Sequence, residues 1–321
     1  MFLLVLGTLV LISSVYASSG ITTSFAAAAP ITKVSSGLVA SDPLNKLLSM
    51  QQLEHDSYWT FSGDAPQEGA PYNFYENSGG LHIGVQAASP GTFAGFFAKS
   101  PNTNFVLARV RVTAPVSSLQ QDVYEAGIYV QTADGNVNYV TCTSSTSSGG
   151  TIWELVWATG NSQGATNFQT LWSSGTGQPL TEICTLITNG NNYLKLYIDG
   201  SLVYSSSSLN LQMPSPFQIY LEPETSYAGS ELYASFLNFY LTSGEYLTIN
   251  NLPSSATHVQ LVSPGGRVIA SAAKSGSSAT IEMGGFTFPV NARIVAKNSR
   301  GATVASTSGA VLLYGGDVYS A

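Results

Sequence analysis

Asn192-Tyr-Leu-Lys-Leu-Tyr-Ile-Asp-Gly-Ser-Leu-Val-Tyr204 decides the fold class. Tyr193–Ile198 and Leu202–Ser205 read as two short strands, and Asp199-Gly200 between them supplies the positive-φ turn of a tight hairpin. The same grammar recurs upstream, where Ala126–Thr132, Asp134-Gly135 and Val137–Cys142 make a second hairpin. Working outward, strands rich in β-branched and aromatic residues read at Tyr58–Phe61, Leu81–Val85, Thr92–Lys99, Phe105–Thr113, Thr151–Trp157, Asn167–Trp172, Glu182–Thr188, Phe217–Leu221 and Tyr233–Leu241. About a dozen strands with almost no helix predict a two-sheet jelly roll over 55–243.

Residues 244–321 repeat the pattern on a smaller scale. Strands read at Tyr246–Leu252, His258–Val262, Arg267–Ser271, Ala279–Met283, Ala292–Lys297, Ala302–Ser306 and Ala310–Tyr314, with turns at Ser263-Pro-Gly-Gly266 and Asn298-Ser-Arg-Gly301. That count suits an Ig/fibronectin-like sandwich. Ahead of both modules, Met1–Val15 is apolar and Val15-x-Ala17 fits a signal-peptidase site, so 1–17 reads as a signal peptide, with an uncleaved anchor or a buried strand as alternatives. Residues 18–54 read as a linker or arm with one short helix over 42–53, in which Leu44, Leu47 and Leu48 form a stripe. The chain is expected to be secreted or at the cell surface.

Charge narrows the function classes. Lys and Arg number 11 and Asp and Glu 18, for a net charge of −7, so no basic stripe exists to meet nucleic acid. Cys142 and Cys184 read as one structural disulfide in an exported chain, with two buried thiols or an intersubunit bond left open. No Asn-x-Ser/Thr triplet occurs.

The segments Tyr58-Trp-Thr-Phe, Gly80-Leu-His-Ile, Tyr124-Glu-Ala-Gly-Ile-Tyr-Val, Asn192–Tyr204 and Ala234-Ser-Phe-Leu-Asn-Phe-Tyr-Leu follow one another as in the concanavalin A-like lectin/glucanase superfamily, including laminin G-like modules. Tyr246-Leu-Thr-Ile-Asn-Asn-Leu-Pro and Gly315-Gly-Asp-Val-Tyr319 resemble small β-modules that follow such domains in archaeal surface proteins. The resemblance implies an all-β jelly roll plus a smaller C-terminal sandwich, and contact with carbohydrate. Calcium is common among such relatives, but Asp64, Asp122, Asp134, Asp199 and Glu224 stand apart, so calcium has no assigned ligands here.

Aromatic residues are the candidate ligand surface. A period of two puts Trp153, Leu155 and Trp157 on one face, with the two indoles about 13 Å apart. That face is either a sugar-stacking platform, with Trp172 and Tyr75 as further candidates, or core. Carboxylates argue the other way: retaining glycosidases need two of them about 5–5.5 Å apart. Glu222-Pro-Glu224 is the one Glu-x-Glu, and Pro223 argues against a central strand, while Glu125 and Glu154 lie on separate segments. The sequence therefore predicts a non-catalytic carbohydrate-binding or adhesion protein, not an enzyme. The alternatives are a surface-layer or filament subunit that self-associates through its N-terminal arm, and a glycoside hydrolase.

Overall fold

The computed structural model describes residues 27–321 except 57, 64–73, 86–91, 100–104, 116–123, 135–136, 148, 162–163 and 226–231. The proposed signal peptide lies outside the described residues, as do Asp64 and Asp122. Among the described residues the chain is almost entirely β, with one short helix, Met50–Glu54.

Two sheets stack to form the jelly roll. The front sheet has seven strands in the order Gly164–Ser173, Gly150–Asn161, Tyr139–Ser147, Tyr124–Thr132, Phe217–Thr225, Thr92–Lys99 and Thr60–Gly63. The back sheet runs Ser201–Ser206, Leu194–Ile198, Thr181–Thr188, Val106–Thr113, Leu232–Thr242, Gly80–Val85 and Phe74–Asn77, with Leu38–Asp42 also paired to Leu232–Thr242. Alternation along each strand sends one face inward. Ala126, Ile128 and Val130 meet Leu221, Ile219 and Phe217 in the front half of the core, against Val110, Val112, Phe236 and Leu196 from the back.

The disulfide reading holds. Cys142 and Cys184, both fully buried, join the front strand Tyr139–Ser147 to the back strand Thr181–Thr188 across the core. Residues 106–110 and 184–188 are buried on both faces, because Leu107 and Ile187, with Tyr197 of the adjacent strand, pack into a second hydrophobic cluster with Leu247, Ile249, Ile281 and Ile294 of the C-terminal module. That module is itself two small sheets facing each other.

Polar contacts fix the docking of the two modules. Lys195 reaches Glu245 at 2.5 Å and Glu282 at 2.6 Å, Tyr193 Oη donates to Glu245 at 2.6 Å, and Tyr197 Oη donates to Glu282. The Arg109 guanidinium donates to the Phe286 carbonyl at 2.5 Å.

Two expectations for the N-terminal region are corrected. Residues 29–42 are not a free linker: Ala29–Pro30 pairs in parallel with Thr303–Ser306, Thr32–Ser35 pairs with Val318–Ser320, and Leu38–Asp42 joins the back sheet. The arm thus completes both modules of its own chain, and buried Asp317 holds it by accepting from Gly37 N at 2.8 Å and Lys33 at 2.9 Å. The helix is also shorter than 42–53. Asp42 organises the turn instead, accepting from Leu44 N (3.0 Å), Lys46 Nζ (2.9 Å) and Trp59 Nε1 (3.1 Å), and Leu44 and Leu47 take left-handed φ values of 57° and 60°. Leu44 is then buried and Leu47 exposed, so the expected stripe does not form.

Candidate active site on the front sheet

The outer face of the front sheet carries residues that alternate with the core set. On Tyr124–Thr132 these are Glu125, Gly127, Tyr129 and Gln131, and on Phe217–Thr225 they are Gln218, Tyr220, Glu222 and Glu224. The antiparallel register places Glu224 directly opposite Glu125, Glu222 opposite Gly127, and Tyr220 opposite Tyr129. Directly opposed residues have Cβ atoms about 4.5–5.5 Å apart, and residues two apart on a strand are separated by about 6.7 Å. Three carboxylates therefore share one patch in the middle of the sheet. Glu154 lies two strands away, in the row that runs through Thr143 and Gly127 to Glu222.

The expectation about Pro223 is overturned by the ladder. Phe217–Thr225 is a central strand, and Pro223 pairs with Ala126 without interrupting the pairing to Tyr124–Thr132. On its other side the register to Thr92–Lys99 omits Glu222 and Pro223, so the missing N–H falls where the ladder lapses. Gly127 is equally constrained: a Cβ there would lie 2.4 Å from the Cys142 carbonyl oxygen, so no side chain fills the gap between Glu222 and Thr143.

Burial and mutual repulsion set the protonation of this patch. Burial first, then the neighbouring Glu224 and Glu154, push the Glu125 carboxyl up to about 7. Burial, Glu224 and Glu125 push Glu222 well above the ordinary carboxylate range. Glu224 is raised by burial alone. All three carboxyls are thus held above the ordinary range, and Glu125, titrating near neutrality, is suited to exchange a proton with a substrate.

Beyond the carboxylates the same face turns aromatic and amidic. Tyr129 and Tyr139 stand edge to face with ring centroids 5.3 Å apart, and Tyr220 Oη donates to Gln218 at 3.0 Å. Gln131, beside both Gln218 and Tyr139, continues the row, and exposed Phe168 follows through Ala158. The result is a track of carboxyls, phenols and amides running along the strands.

The residues named from the sequence fall elsewhere. Trp153, Leu155 and Trp157 do share a face, and that face is the core: Trp153 is 1% exposed and its indole N–H donates to the Pro179 carbonyl at 2.9 Å. As a stacking platform Trp153 is corrected, because no sugar can reach it. Trp157 and Trp172 are half-buried against the core edge. Tyr75 lies on the back sheet, stacked on His82 with ring centroids 4.6 Å apart. Around that histidine, Nδ1 lies 2.7 Å from Ser235 Oγ and Nε2 lies 2.9 Å from Asn77 Oδ1. The backbone of Ser235 is paired on both sides in the sheet, with His82 and Thr113, so this trio has no strained turn to present a nucleophile. Among the described residues no three His, Cys, Asp or Glu side chains converge as a metal-ligand set.

No family model matches the sequence, and a comparison with curated proteins finds no match. Solved structures similar to the chain include the GH16 protein of the Bacteroides ovatus mixed linkage glucan PUL (10% identity, TM-score 0.46, covering 64% of this chain and 100% of that one). They also include a Bacillus licheniformis β-glucanase (11%, 0.43, 65% and 99%) and the potassium-bound Emp46p carbohydrate recognition domain (12%, 0.43, 63% and 95%). At such identities the likeness concerns the fold alone. The expectation of a non-enzyme, which rested on the lack of paired carboxylates, is corrected by the ladder: Glu125, Glu222 and Glu224 are brought together by a register that links segments almost a hundred residues apart.

Proposed function

We propose that the chain binds a polysaccharide on the outer face of its front sheet and hydrolyses a glycosidic bond there, outside the cytoplasm. The observation that carries this reading is Glu224 directly opposite Glu125 on the two central strands. Opposed Cβ atoms about 4.5–5.5 Å apart suit the short carboxyl separation of a retaining mechanism. Glu125, titrating near 7, protonates the departing glycosidic oxygen. Glu224, the carboxyl raised by burial alone, attacks the anomeric carbon as the carboxylate and forms a glycosyl ester. Glu125 then takes a proton from the water that releases the sugar. Glu222 keeps its proton and serves as a hydrogen-bond donor beside the reacting centre. Tyr139 and Tyr220, both half-buried, present ring surface to the C–H faces of neighbouring sugar units, with buried Tyr129 packed edge to face against Tyr139.

Export is supported by the disulfide, which forms and persists in oxidising compartments, and by the apolar run and Val15-x-Ala17 ahead of the described residues. The test is release of reducing ends from mixed-linkage β-glucan, laminarin, xylan and chitin by the full chain, between pH 3 and pH 8. Release from at least one, abolished in Glu224→Gln, is expected. No release from any of them, or cleavage of denatured casein in their place, overturns the reading.

A further inference from the structure

Gly164–Ser173 is the edge strand of the front sheet and is largely exposed, and what lines the inward-facing side there is unlike the core. Along Gly150–Asn161 the inward series Trp153, Leu155, Trp157 gives way to Thr159, and on the neighbouring edge strand the facing partners are Gln169 opposite Trp157 and Asn167 opposite Thr159. Two adjoining cavities, of about 310 and 410 Å³, share Trp157, Thr159 and Asn167. Gln169 and the exposed Phe168 also line one, and Asn138, Asn210 and Gln212 line the other. Both volumes lie in the ~300–1,000 Å³ range of small-molecule sites.

Three features define what this place can hold. Its walls contain no charged side chain, so no cation or carboxylate is there to select an ion. Its polar groups are amides and hydroxyls, which donate and accept at once and match sugar hydroxyls. Trp157, half-buried in the wall, contributes an apolar ring, and its indole N–H is buried with no acceptor, an exception among native buried donors. Asn138 is also fixed in position: its Oδ1 accepts from Gly160 N at 3.2 Å, and its Nδ2 faces the Gln212 carbonyl at 3.5 Å, tying the Asn138 end of its strand to the segment that carries Gln212.

The geometry points to a second, non-catalytic binding site for a neutral saccharide at the Gly164–Ser173 edge, built on Trp157, Thr159, Asn167 and Gln169 with Asn138 and Gln212 beside them. It lies on the opposite face of the sheet from Glu125 and Glu224, so it stands whether or not those carboxylates cleave. Its role is to hold a polysaccharide chain to the molecule independently of the front face.

Affinity electrophoresis of the full chain in gels containing neutral xylan, mixed-linkage β-glucan or galactomannan tests it, with anionic alginate as the charged comparison. All variants carry Glu224→Gln so that the gel matrix survives. Retardation by at least one neutral polymer is expected, weakened at least five-fold by Asn167→Ala and Gln169→Ala, both exposed positions whose loss leaves the melting temperature unchanged. Trp157→Phe, which retains a ring and removes the N–H, is expected to weaken retardation to a smaller degree. Retardation by no neutral polymer, stronger retardation by alginate, or retardation unaffected by Asn167→Ala and Gln169→Ala overturns the proposal. The last result would place binding on the front face instead.

Discussion

Replacing Glu125 by Gln should make the protein more stable at pH 8 and leave its stability unchanged at pH 4. The reason is the cost of burying that carboxyl, with Glu224 and Glu154 adding repulsion. In the unfolded chain it titrates near 4.5, and in the folded chain near 7. Below 4.5 the proton is bound in both states and nothing is lost. Between 4.5 and 7 the folded state binds the proton more tightly than the unfolded state, so stability falls as pH rises, and above 7 the loss is complete. At about 1.4 kcal/mol per pH unit the full penalty is on the order of 3 kcal/mol. Glutamine fills nearly the same volume with no charge, and its removal of repulsion also lowers Glu222, whose carboxyl is raised partly by Glu125. Urea denaturation at pH 4 and pH 8 reads the effect directly: the variant's unfolding free energy should exceed the parent's by 2–3 kcal/mol at pH 8, in line with the trade between stability and a strained site. A variant equal to or weaker than the parent at pH 8 would refute the account of a buried, mutually repelling carboxyl cluster.

Two further outcomes follow from the packing. Converting Cys142 and Cys184 to Ala removes a link between residues 42 apart that spans both sheets, and should cost about 4 kcal/mol by the chain-entropy model, read as a downward shift of the urea midpoint. Lys195→Ala leaves Glu245, 2% exposed, with the Tyr193 hydroxyl and no cation. It should destabilise the docked modules by roughly 3–5 kcal/mol, and faster hydrogen exchange at 245–250 and 279–283 would locate the loss at their contact.

The sandwich was legible because its signals are local. Asp199-Gly200 and the flanking alternation mark the Leu194–Ser206 hairpin within a few residues, and the observed Asp199 and Gly200 do take positive φ. Trp153 and Trp157 were correctly put on one face, but period alone does not say which face is inner, and the burial of both sheets' interiors decided for core. The N-terminal arm lacks any local strand signal strong enough to stand out, and its pairing partners, Thr303–Ser306 and Val318–Ser320, lie almost the length of the chain away. The short final strand was missed for the same reason. Asp42 defeated the helix expectation by offering the backbone and Lys46 a different set of bonds.

The site was illegible for a related cause. Glu125, Glu222 and Glu224 are each visible in the sequence. Their meeting depends on which strand lies beside which, and jelly-roll strand order brings together segments that sequence separation keeps apart. Pro223 pointed away from a central strand because one side of the ladder was assumed complete, whereas the structure lets that side lapse.

The most direct test of the front-face carboxylates is turnover of a soluble polysaccharide substrate by the parent chain, Glu224→Gln and Glu224→Ala, the last with and without sodium azide. The expected result is a loss of at least a thousand-fold in both variants at unchanged melting temperature. Azide should restore turnover to Glu224→Ala by attacking the anomeric carbon from the vacated side. Turnover by Glu224→Gln within a few-fold of the parent would contradict the assignment of this glutamate, and with it the hydrolytic reading of the sheet.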